Sequence, residues 1–185
     1  MTKSRTNADN VTADIAGITA GTGITGGGTS GTVTIAIDTA TTADLTTTQA
    51  LSNKTFITPE ERTTVSTSAP TSTTNFDAST QGVLFLTGST TSNWTLNVRG
   101  SSGTTLNSML AIGDALSIIF IVTNGATAYY QTALTIDGNA QTVNYSGGTA
   151  PAAGNASSKD AYSFTIFKTA NATFTVFGAG PVKYA

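Results

Sequence analysis

The sequence predicts an all-β protein: an extended, β-rich amino-terminal arm or stem, then an antiparallel β-sandwich of jelly-roll type, assembled as a trimer. Three observations carry that reading. Of 185 residues, 40 are threonine, whose branched Cβ suits a strand while its hydroxyl tolerates water. Only 10% of the chain is charged, against about 25% in ordinary soluble proteins, so the expected surface is neutral and polar. Finally, apolar runs of strand length recur between turn signals through the carboxy-terminal half.

The arm comes first, over residues 1–57. Its stretch GITAGTGITGGGTSGTVTIAID at 17–38 spaces Gly21, Gly23 and Gly26 like a dinucleotide-binding fingerprint. That fingerprint works only where a helix leaves the glycines and offers its N-terminal amides to pyrophosphate. Here Val33, Ile35 and Ile37 alternate with Thr34 and Ala36 instead, which is the period of a strand. Asp44, at the distance of a ribose-binding acid, therefore has no helix to serve. Gly21, Gly23, Gly26, Gly27 and Gly28 read as stem turns and as places where neighbouring backbones approach closely.

Large apolar residues are sparse across the arm: besides Val33, Ile35 and Ile37, Ile15, Ile18, Ile24, Leu45, Leu51, Phe56 and Ile57 stand among Thr, Ser, Ala and Gly. So little apolar surface does not offset the entropy of ordering the chain. The arm is thus expected to be stabilised by other chains, docking on a partner and trimerising. Within ADLTTTQALSNK at 43–54, Leu45 and Leu51 are too far apart for one helical face, and Thr48, Gln49 and Leu51 suggest a turn. Residues 58–74 hold two prolines, the glutamates Glu60 and Glu61 and a Ser/Thr-rich tail. They read as a linker.

The sandwich is expected over residues 75–185. Its strands are GVLFLTG at 82–88, NWTLNVRG at 93–100, LSIIFIVTNG at 116–125, YYQTALTIDG at 129–138, QTVNYSGG at 141–148, AYSFTIFK at 161–168 and TFTVFGAG at 173–180. Alternation turns Trp94, Leu96 and Val98 inward and Thr95, Asn97 and Arg99 outward; Phe164 and Ile166 point inward against Thr165. Asp137-Gly138-Asn139 and Thr169-Ala170-Asn171 are expected hairpin turns. Leu106, Met109 and Leu110 fall at helical spacing ahead of Gly113, predicting one short helix at an end of the sandwich. The loop SGGTAPAAGNASS at 146–158 lacks a strand pattern and is expected to be exposed, a candidate binding loop.

Chemistry is constrained by what is missing. The chain has no histidine and no cysteine, which removes His-based triads, Cys–His pairs and His- or Cys-ligated metals. The carboxylates of the carboxy-terminal half are Asp77, Asp114, Asp137 and Asp160; Asp137 and Asp160 sit in apparent turns, where Asp hydrogen-bonds locally. No catalytic, cofactor-binding or metal-binding residue is assigned, and the protein is expected not to be an enzyme. A net charge of −2 gives no electrostatic footprint for nucleic acid, and no apolar run reaches membrane-spanning length. The amino end lacks a signal-peptide core. Among the aromatics, Tyr129 and Tyr130 are candidate receptor contacts, because neighbouring strand residues face opposite ways and one ring must then turn outward.

GITAGTGITGGGTSGTVTIAID and the following QALSNKTF resemble stem segments of tailed-bacteriophage fibre proteins. NWTLNVRG, TTLNSML, VTNGATAYY and GGTAPAAGNASS are similar to a domain of virion structural and tail-fibre-like proteins of phages infecting marine cyanobacteria. The resemblance implies a non-enzymatic particle component, usually trimeric, made in the bacterial cytoplasm and carried in the virion, with its carboxy-terminal domain outward. The expected partners are other virion proteins, of the tail, baseplate or capsid, and a host-surface glycan. Fibres of this kind are usually much longer. A capsid decoration protein clamping shell subunits is the first alternative; a carbohydrate-binding module or polysaccharide depolymerase is the second.

Overall fold

The computed structural model describes residues 17–29, 32–43, 52, 53, 55 and 57–185. The chain divides into two compact units, Met1–Thr58 and Pro59–Ala185. Asp44, the expected turn at Thr48, Gln49 and Leu51, and the apolar Ile15, Leu45 and Phe56 lie outside the described residues.

The first unit contains one sheet of three short antiparallel strands, β1 (Ile18–Thr19), β2 (Ile24–Gly28) and β3 (Ile35–Ile37), in the order β1-β2-β3. Gly21 and Gly23 belong to the turn that joins β1 to β2, where Ile24 N–H donates to the Gly21 carbonyl at 3.3 Å. Gly26, Gly27 and Gly28 are not turn residues. They lie inside the central strand β2, with φ of +105° at Gly26 and +133° at Gly27. A Cβ on Gly26 would collide with the Thr34 carbonyl oxygen, and one on Gly27 would come within 2.5 Å of the Ile18 carbonyl oxygen. Two neighbouring backbones therefore close on β2 from either side, the close approach expected of these glycines.

Asp38 ends β3. Its carboxylate accepts from Ala40 N–H and the Thr41 hydroxyl, both at 3.0 Å, the local bonding that makes Asp a turn former. The register pairs Ile24 with Ile37, Gly26 with Ile35 and Gly28 with Ile18. Directly opposed residues share a face, so four isoleucines line one side of the sheet. No described residue of this unit is buried.

The second unit is built from ten strands and two short helical turns. The strands are β4 (Thr63–Ser66), β5 (Thr73–Asp77), β6 (Val83–Ser89), β7 (Trp94–Arg99), β8 (Ala115–Thr123), β9 (Gln131–Ile136), β10 (Asn139–Ala140), β11 (Val143–Tyr145), β12 (Lys159–Ala170) and β13 (Thr173–Tyr184). They form a six-stranded sheet, order β11-β13-β12-β8-β6-β4, and a four-stranded sheet, order β10-β9-β7-β5. Strand follows strand in alternate sheets: β4, β6 and β8 are parallel neighbours in one, and β5, β7 and β9 in the other.

This corrects the expected antiparallel, jelly-roll pairing. Parallel strands ordinarily need a crossover of a dozen or more residues. In this fold each crossover is itself a strand of the other sheet, so short spacings that look like hairpins in the sequence are turns of a coil. Antiparallel pairing is confined to β9–β10, β12–β13 and β12–β8 within this unit. The expected linker at 58–74 is corrected too, since it contains β4, paired with β6, and the first residues of β5. Its Thr-rich sequence lacks an apolar run because a strand at the sheet edge presents little to the core.

The buried faces of both sheets feed one core. Phe76, Trp94, Leu96, Val98, Leu134 and Ile136 come from the four-stranded sheet; Leu84, Phe120, Val122, Tyr162, Phe164 and Ile166 are among those from the six-stranded one. Trp94 meets Phe120 and Tyr162 edge-on, with ring centroids 6.3 and 6.1 Å apart, a favourable geometry for aromatic quadrupoles. The inward assignment of Trp94, Leu96, Val98, Phe164 and Ile166 holds. Asn97, expected to face water, is instead 9% exposed. Parallel register stacks it between Asn75 and Thr135; it donates to Asn75 Oδ1 and accepts from the Thr135 hydroxyl, each at 2.8 Å.

The Asp137-Gly138 turn closes β9–β10 with both φ positive, +51° and +81°, as a two-residue type I′ hairpin requires. The β12–β13 turn falls one residue later than expected, at Asn171-Ala172 between the paired Ala170 and Thr173. The short helix α1 is Leu106–Met109. It stops before Gly113. Thr105 caps it by accepting from Ser108 N–H, and Leu106 is fully buried in the core.

Candidate functional site

The two surface features singled out in the sequence, Tyr129–Tyr130 and the loop 146–158, come together in space. The tyrosines sit in the link between β8 and β9, just before β9 begins. They are not consecutive strand residues, so the argument that one ring must turn outward does not apply. Tyr129 packs partly against the core and Tyr130 is half-buried. Two asparagines fix their backbone: Tyr129 N–H donates to Asn124 Oδ1 at 3.3 Å and Tyr130 N–H to Asn93 Oδ1 at 3.0 Å.

The loop starts as a single 3₁₀ turn, Ser146–Gly148, and then runs without strand structure, mostly exposed. Its far end is fastened from below. Asp160, expected in a turn, lies in β12 and is fully buried. Its carboxylate accepts from Asn124 Nδ2 at 2.9 Å, from Asn155 N–H at 2.9 Å and from Asn155 Nδ2 at 2.8 Å. Asn124 in turn accepts from the buried Thr90 hydroxyl. Ser157 N–H donates to the Gly125 carbonyl at 2.7 Å, and Asn124 N–H to the Ser158 carbonyl at 2.8 Å. Gly154 lies against the Tyr129 carbonyl, where a Cβ would collide with the oxygen.

Loop and tyrosines thus form one surface around a single buried carboxylate. A buried charge persists only when its lone pairs are taken up by donors, and three N–H groups converge on this one. The exposed positions above it include Thr149, Ala150, Ala152, Ala153 and Ala156. Such a surface offers backbone amides, hydroxyls and two phenol rings. Its chemistry suits recognition of an uncharged polar molecule.

A second depression, an open cleft of about 420 Å³, is lined by Asn97, Arg99, Ser101, Thr105 and Asp137 among others. Its charges are already engaged. Arg99 Nε donates to Asp77 Oδ1 at 2.6 Å, and Asp137 accepts from Leu106 N–H at 2.7 Å and Asn107 N–H at 3.0 Å. Asp137 therefore satisfies first-turn amides of α1 that have no partner within the helix. Asp114 accepts from Ala111 N–H at 2.8 Å, closing the turn ahead of β8. The carboxylates named from the sequence are thus separately bonded to backbone or side chains of the protein itself.

Beneath the surface, Tyr162 is buried in the core and its hydroxyl accepts from Gln131 N–H at 3.4 Å. Burial pushes its phenol well above the ordinary tyrosine range, and burial raises Tyr145 in the same direction. Lys168, 7% exposed, donates to the Asn107 carbonyl and, at 2.9 Å, to the Leu110 carbonyl at the end of α1. Asn124, Asn155 and Lys168 carry no signal in the sequence: Thr123-Asn124-Gly125 reads as a turn, and Lys168 as the polar end of a strand. Comparison with protein-family models, with curated proteins and with solved structures finds no match to this chain.

Proposed function

We propose that the chain is a non-enzymatic structural protein of a phage virion, a short tail fibre or appendage. Its amino-terminal arm docks on the particle and trimerises; its carboxy-terminal unit, read as a β-sandwich, faces outward for assembly or adhesion to a host-surface glycan. The observation that carries this is the three-stranded sheet of the arm. Among the described residues it is a single layer with no buried residue, and Ile24, Ile35 and Ile37 on one face are 41%, 48% and 62% exposed. A sheet so small is marginal in water by itself. Repeating its isoleucine face around a symmetry axis supplies such a sheet with a second layer. The virion is supplied by the sequence resemblance to fibre stems and virion domains.

Labelling the protein on intact virions tests the reading: label on the tail or an appendage supports it, and label on the head favours the decoration alternative. Light scattering adds the number of copies, and a stable, folded monomer counts against an oligomeric stem. The pairing of Tyr129–Tyr130 with the exposed loop favours glycan binding at the outer end. Loss of glycan-array signal in Tyr130→Ala is the expected result, and weak contacts repeated on several copies would raise avidity without a tight single site.

A further inference from the structure

The outer face of the six-stranded sheet carries an apolar row over five of its strands. Register places Val65, Phe85, Ile121, Ala161 and Val182 in one continuous row across β4, β6, β8, β12 and β13. Neighbouring rows add Ile119 and Phe177. Val65, Phe177 and Val182 are 63%, 52% and 49% exposed. Lys159 and Tyr184 stand at one end of the face and Asn144 on the β11 edge; the other outward positions are Val, Ile, Phe, Ala, Ser and Thr. Sheets with parallel pairing are ordinarily covered on both sides, whereas the core covers only one side of this one.

We infer that this face is where copies of the chain meet. The inference deepens the oligomer proposed above and rests on that reading only for the number of copies. Five strands at about 4.8 Å spacing, with four residues in β4, seven in β6, nine in β8 and similar lengths of β12 and β13 facing it, at about 3.3 Å per residue make a face of roughly 600 Å². That footprint, shared by apolar side chains with Ser and Thr, is of the order of the ~800 Å² that each partner contributes to a stable complex. Identical faces whose single charge, Lys159, stands at one end meet with little like-charge repulsion, which suits a symmetric assembly.

Relief supports the same occupant. Phe167 and Phe177 stand edge-to-face, 5.9 Å apart at 88°, as a ridge. Beside it lies a hollow of about 210 Å³ bordered by Ser163, Thr165 and Ala179. Ridge and hollow on one face let each copy seat its phenylalanines against the next.

The test uses the full chain. Sedimentation velocity should show an oligomer that Phe177→Lys and Ile119→Lys each weaken, so that it dissociates at a higher protein concentration than wild type, with circular dichroism unchanged. Because the chain has no cysteine, pyrene attached at Ser163→Cys should give excimer emission at low labelling interference, and pyrene at Thr104→Cys should not. An oligomer indifferent to both lysines and silent at Ser163→Cys overturns this face while leaving the oligomeric stem intact. A wild-type monomer overturns both.

Discussion

Replacing Asp160 with Asn is the most informative single change, because it removes a buried charge while keeping shape and volume. The carboxylate takes three N–H donors, two of them on Asn155. Asn offers one oxygen and one NH₂ in their place, so the bond lost is the one from Asn155 Nδ2 or the pair at the opposite oxygen. A hydrogen bond to a charged group is worth about 1.5–3 kcal/mol, and a buried donor left unpaired costs about 1–3 kcal/mol. Rotation of the Asn155 amide recovers part of that. The expected loss is about 2 kcal/mol for Asp160→Asn and about 4 kcal/mol for Asp160→Ala, which abandons every donor. Urea unfolding followed by the single tryptophan, Trp94, which is 1% exposed in the core, reads it directly. Asn155→Ala in the same background should show coupling of about 1 kcal/mol or more. Native-state hydrogen exchange should accelerate at the Asn155 amide before the core strands respond. Asp160→Asn within about 0.5 kcal/mol of wild type, with no coupling to Asn155, would refute the view that this carboxylate holds the loop.

Three further outcomes follow from other contacts. Lys168→Met should lower stability by about 1–3 kcal/mol, since the carbonyls of Asn107 and Leu110 lose their donor while the methylenes still pack; thermal unfolding measures it. Gly27→Ala should abolish the exchange protection of β2 without altering the second unit's unfolding, because the methyl meets the Ile18 carbonyl; amide exchange resolved by residue distinguishes the two. Tyr162 is held neutral by burial when folded, so the unfolded chain loses its proton first. Stability is then full below about pH 10 and falls by about 1.4 kcal/mol per pH unit for each such tyrosine above it. Tyr162→Phe should make that slope shallower.

Element positions were largely legible in the sequence, because each strand from β6 to β13 with a core-facing residue leaves an alternating apolar trace: Trp94, Leu96 and Val98 are one example. Their pairing was not. Alternation records which face a residue takes and is blind to the direction of the neighbour, so a coil through two sheets and a series of hairpins look the same. Strand β4 was hidden because Thr63–Ser66 holds one large apolar residue, Val65, and it faces outward, and β5 because Phe76 is its single large apolar residue. The candidate surface was half legible. Tyr129, Tyr130 and the loop stood out by composition, whereas Asp160, Asn124 and Asn155 gain their roles only from proximity across the fold, at sequence separations of up to 36 residues.

The long β12–β13 hairpin has a consequence for the order of folding. It is the most local pairing among the large strands, yet it occupies the middle of the six-stranded sheet, between β8 on one side and β11 on the other. Local contacts form with the least loop-closure entropy. The hairpin can therefore form early and serve as the template on which β8, then β6, then β4 are laid down in turn. Synthesis proceeds in the opposite direction: the ribosome releases β4 first and the template last. The second unit must wait for its final thirty or so residues before its sheet can set. Loss of the carboxy-terminal hairpin would then remove the platform itself, while loss of β4 would only trim an edge.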